Sequence, residues 1–152
     1  MKINNLFYQE RENIMLEVGN TSTTALTANA KIPFTTVFFN TNNRTSFDSA
    51  NNALVIKRRG IYKVGGSFVF TATGAGNVSI SMYVNGASEP TAVSTFTAIA
   101  GSTYTFTIPS KYIKAIPSVS GSTIPITFVV SADGTLNSAN AFVYYNETVN
   151  EQ

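Results

Sequence analysis

The sequence predicts an all-β protein whose short antiparallel strands pack as a sandwich, jelly roll or barrel. Three observations carry this. From about residue 31 onward, apolar residues recur with a period of two. The alternating runs are rich in β-branched and aromatic residues, and turn sequences bearing Gly or Asn separate them.

The elements follow in order. Tyr62, Val64, Gly66, Phe68 and Phe70 share one face of a strand. Val78, Ile80, Met82 and Val84 alternate with Ser79, Ser81 and Tyr83, and Tyr104, Phe106 and Ile108 alternate with threonines. Ile124, Ile126, Phe128 and Val130 form a further face, and Ala141, Val143 and Tyr145 oppose Phe142 and Tyr144. Such alternation marks half-buried strands. Arg59-Gly60, Gly74 to Asn77, Asn85-Gly86, Ala100 to Ser102, Ser120 to Ser122 and Asp133-Gly134 fall between the runs. Asn-Gly and Asp-Gly favour tight hairpins because both residues tolerate positive φ. Pro33, Pro109, Pro117 and Pro125 suit strand ends or edges, since proline donates nothing to a ladder.

Residues 1–30 read as a short N-terminal arm ahead of a domain spanning 31–149. Leu6, Phe7, Ile14 and Met15 would give this arm an apolar face, on a short helix or an extended segment alike, and so a means of docking. Residues 20–30 are small and polar and suit a linker or an exposed edge strand.

Composition bounds the chemistry. The 152 residues are one domain's worth. Charged residues make up 12%, half the usual ~25%, while 43% are hydrophobic, which excludes disorder for most of the chain. With a mean hydropathy of +0.08, some surface is expected to be covered by other copies or by a larger assembly. The chain has no His, no Cys and no Trp. A Ser-His-Asp triad, a Cys nucleophile, an ordinary zinc site and a disulfide are therefore excluded. Acids are few, and only a distant pair such as Asp48 with Asp133 could be brought together for acid–base work. The expectation is a non-enzyme without metal or other cofactor. Net charge is +2, too small and dispersed for nucleic acid. Lys57-Arg58-Arg59 is the one basic run, an anion contact or simply a solvated turn between strands. No stretch has the length of a signal-peptide core or a membrane span, so a soluble protein outside the usual secretory route is expected. Sequons at Asn20, Asn43, Asn77 and Asn146 are as many as chance supplies where Ser and Thr approach a quarter of the chain.

One ordered set of segments is more specific. Phe47-Asp48, Leu54 and Ile56 lead to Gly60-Ile61-Tyr62-Lys63-Val64 and then Phe68 and Phe70. Asn77 to Gly86 follows, and Asn140 to Tyr145 closes the chain's pattern. Across residues 31–146 this resembles the complement-type globular head and the tumour-necrosis-factor-like jelly roll. The resemblance implies a TNF-like antiparallel jelly-roll β-sandwich forming compact homotrimers about an axis lined by apolar and aromatic side chains. By alternation, Tyr62, Phe142 and Tyr144 are the candidates for that lining. At ~25 cal/mol per Å², a few hundred Å² buried per protomer contributes on the order of ten kcal/mol before association costs.

The sequence departs from the animal members in lacking a collagen stalk, an anchor and the acid-rich loops that would hold calcium. It is closer to the bacterial and phage versions. The role implied is a structural virion protein, a trimeric capsid decoration or head-fibre protein. Its arm would attach to the major capsid protein or another virion protein. The alternative is a module of a phage tail or fibre that binds a host-surface glycan or receptor.

Overall fold

The computed structural model describes residues 13–41, 43–116 and 122–147. The described residues form eleven strands: β1 (Asn13–Asn20), β2 (Thr24–Leu26), β3 (Thr36–Asn40), β4 (Thr45–Asp48), β5 (Ala53–Ile56), β6 (Gly60–Ala72), β7 (Gly76–Val84), β8 (Ala87–Ala98), β9 (Thr103–Ala115), β10 (Ile124–Val130) and β11 (Gly134–Glu147). Among the described residues there is no helix. A six-stranded sheet runs β3-β1-β11-β6-β9 with β2 beside the start of β11, and a five-stranded sheet runs β4-β5-β10-β7-β8. Every pairing is antiparallel. The two sheets face each other as an antiparallel jelly-roll sandwich.

The period of two decides what lies between them. On β6, Tyr62, Val64, Phe68 and Phe70 point inward, and Ile126, Phe128 and Val130 of β10 answer from the other sheet. Phe34, Phe68 and Phe128 form an aromatic centre, with Phe68 and Phe128 centroids 5.0 Å apart. Phe96 meets Phe106 edge-on at 4.9 Å, a geometry that brings a ring's positive edge to a negative face.

The turns divide by topology. Asn85-Gly86 joins β7 to β8 within one sheet, with φ of 53° and 86°, as a two-residue hairpin of the primed type requires. Asp133-Gly134 corrects the hairpin expectation, because β10 and β11 belong to different sheets. The Asp133 carboxylate instead accepts the Ala28 N–H at 2.8 Å, which holds the crossing segment. Pro109 sits on β9, at the sheet edge, opposite the irregularity between Val64 and Gly66.

The boundary at residue 30 is also corrected. β1 pairs β11 on one side and β3 on the other, so residues 13–20 are interior to a sheet. Leu16 and Val18 are fully buried, and Met15, expected on the docking face of an arm, is buried with them in the core. Ile14 lies on β1 opposite Tyr144, while Leu6 and Phe7 lie outside the described residues. Asn20 ends β1 and is itself buried: its Nδ2 donates to the Pro33 carbonyl at 3.2 Å and its Oδ1 accepts the Ser22 N–H at 2.8 Å. This sequon asparagine ties two chain segments together.

Candidate functional site

Two surfaces stand out, one on each sheet. On the six-stranded sheet, alternation turns Phe142 and Tyr144 of β11 away from the core while Ala141 and Val143 face it. Their rings pack at 4.8 Å, and the Lys63 ammonium lies 5.4 Å from the Tyr144 centroid. Phe142 can lie low because its partner across the ladder is Gly65. Phe38 of β3 rests in the same way over Gly19. Exposed Phe38 and Phe39 of β3 and Tyr112 of β9 extend this aromatic face to both sheet edges. At its middle Asn140 Nδ2 donates to Glu17 Oε2 at 2.7 Å.

The three residues expected on a subunit axis separate. Phe142 and Tyr144 share the outer face. Tyr62 is fully buried, in phase with Val64 and Phe68, so it lines no subunit contact; this corrects the expectation. Its hydroxyl donates to the Arg58 carbonyl at 2.8 Å, and its ring meets Tyr145 edge-on at 5.7 Å. Burial pushes the Tyr62 hydroxyl above its ordinary 10.0, with the neighbouring Arg44 acting in the opposite direction. Arg44 stacks on the Tyr145 ring at 4.2 Å and donates from Nη1 to the Arg59 carbonyl at 3.1 Å. Lys57, Arg58 and Arg59 are the exposed link from β5 to β6, and their backbone is fastened by these bonds.

Phe38, Tyr112 and the two glycine seats were not singled out from sequence. The Val37-Phe38-Phe39 run and the Gly65-Gly66 pair inside a strand pattern were the available signals.

The second surface is a trough of ≈ 600 Å³ on the open face of the five-stranded sheet. Ala53 and Val55 of β5 and Pro125, Thr127 and Val129 of β10 form its floor. Tyr83 of β7 stands on one side and the Asp48–Asn51 turn on the other. Lys31, bridged by its backbone to Val129, and Asn29 close one end. The Asn51 side chain donates to Asp48 at 2.7 Å, and this bond, with the Ala50 and Asn51 N–H groups, holds the carboxyl below its usual range. Asp133 lines a different depression with Gly74 and Asn77, so the fold does not bring the two aspartates together. Among the described residues no group of three acids could hold a metal ion.

No family model and no curated protein matches the chain. Its fold is nonetheless defined by shape: it is a TNF-like jelly roll. It is similar to the Eiger TNF of S. frugiperda, with a TM-score of 0.66 at 9% identity over 91% of this chain and 97% of that one. Murine APRIL follows with a TM-score of 0.62 at 11% identity over 88% and 98%. The PRD1 vertex protein P5 has a TM-score of 0.59 at 14% identity over 90% and 99%. At such identities the likeness is one of fold.

Proposed function

We propose that the protein is a structural component of a phage virion, a homotrimeric capsid decoration or head-fibre protein. The observation that carries the reading is the aromatic outer face of the six-stranded sheet. Phe38, Phe142 and Tyr144 lie there on a sheet whose other face already fills the core, and a protomer in isolation leaves them in water. Three copies that set these faces around a common axis would remove them from water and cover the exposed edge strand β3. The shared fold of a phage vertex protein supports a structural role in a virion. Residues 1–12, with Leu6 and Phe7, are the segment we assign to attachment on the capsid, since residues 13–20 are committed to the sheet.

Two measurements test this. Sedimentation equilibrium at micromolar concentration should give three times the 16.3 kDa chain mass; a clean monomer overturns the trimer. Deleting residues 1–12 should leave that mass unchanged and abolish co-sedimentation with phage particles lacking the protein. Retained co-sedimentation overturns the attachment.

A further inference from the structure

We propose that the trough on the five-stranded sheet is a binding site for an uncharged oligosaccharide. This does not depend on the trimer, because the trough lies on the sheet opposite the aromatic face and stays open whether or not copies associate.

Its chemistry selects the ligand class. Apart from Thr127 the floor is apolar, made of side chains of β5 and β10 whose backbones are paired. A peptide that binds by adding a strand needs a bare sheet edge, and here the ladder is already occupied on both sides of β10. Recognition must therefore come from side chains. The lining holds one cation, Lys31, and one anion, Asp48, which feel each other's charge, so no net charge favours a phosphate or a polyanion. What remains is a set of short hydrogen-bonding groups and one aromatic ring. No hydrogen bond or ring contact engages the side chains of Asn29, Lys31, Thr127 or Tyr83 among the described residues. The Asp48–Asn51 pair, by contrast, is fixed in place by its own bonds. A sugar has the matching surface. Its hydroxyls donate to Asp48 and accept from Lys31 and Asn29, and its apolar C–H faces rest on Tyr83 and the floor.

The test is an array of neutral, sialylated and sulfated oligosaccharides probed with the labelled full-length protein. The expected result is binding of one or more neutral glycans. Tyr83→Ala should weaken it at least tenfold, and Thr127→Arg, which fills the trough, should do the same. Tyr144→Ala, on the opposite sheet, should leave it unchanged. No neutral glycan bound, binding confined to charged glycans, or binding that survives both Tyr83→Ala and Thr127→Arg each overturns the proposal. None of these outcomes touches the oligomeric mass, so the structural reading fails or stands separately.

Discussion

The Phe142 ring of β11 lies on the bare backbone of Gly65, its partner across the ladder on β6: a Cβ on Gly65 would meet the ring's Cζ at 2.8 Å. The obstacle is the tip of a rotatable side chain. At Gly134 a Cβ would run into the Thr71 carbonyl and the Phe70 ring, more closely than at Gly65, and a carbonyl held in a ladder cannot swing aside. Gly134→Ala should therefore destabilise the protomer by about 1–3 kcal/mol or more, the usual cost of overpacking, and Gly65→Ala by less than that. Urea midpoints of the two variants check the order. Equal midpoints would show that the ring on Gly65 is as immobile as backbone.

The aromatic centre between the sheets is a second place where magnitude discriminates. Phe68 and Phe128 are both fully buried, with centroids 5.0 Å apart. Truncating either to Ala leaves a cavity that β-strands fixed on both sides cannot collapse into, at a cost of about 3–5 kcal/mol. Because the two rings share one cavity, the double variant should cost less than the sum of the singles. Denaturation in urea measures all three, and strict additivity would contradict direct coupling.

Much of this architecture was legible because a period of two needs no partner to be seen. β6, β7, β10 and β11 each show it, and their inward residues are the ones that the alternation named. What the alternation could not supply was the choice between the two faces of a strand for a subunit contact. Tyr62 and Tyr144 are both aromatic and both on central strands, but only register against the second sheet tells that one is core and the other surface. β1 was hidden for a different reason. Its eight residues include Asn, Glu and Gly, and its interior place in the sheet depends on β11, more than a hundred residues away, as well as on β3. The trough was equally illegible, since it joins Lys31, Asp48, Tyr83 and Thr127 from four separate stretches.

Tyr62 makes stability depend on alkaline pH. Its hydroxyl pKa is raised in the folded state, chiefly by burial, so the folded protein favours the neutral phenol. The sign follows from linkage: the contribution is fully present below the unfolded value of 10.0 and is lost as pH rises through the folded one. Tyr62→Phe removes the bond to the Arg58 carbonyl and should cost about 1 kcal/mol near neutrality. It also removes the titration, so the gap between the two proteins should narrow above pH ~10. Paired thermal melts from pH 7 to pH 11 test this. A gap that stays constant across that range would show that Tyr62 does not ionise differently on unfolding.

The aromatic face allows association to be separated from folding. Phe142 is half-buried in the protomer, lies against Gly65 and Tyr144, and contributes nothing to the space between the sheets. A carboxylate there remains hydrated in a lone subunit but is stripped of water without a partner if copies close over it, which costs several kcal/mol per subunit. The double variant Phe142→Asp with Phe38→Asp should therefore sediment as a folded monomer with its far-ultraviolet β signature intact. Phe106→Asp, which puts the same charge between the sheets, should instead unfold the chain. The two variants form one test. A Phe142/Phe38 variant that keeps a trimer's mass would move the subunit contact off this face, and one that unfolds as Phe106→Asp does would show that the face is needed for the fold itself.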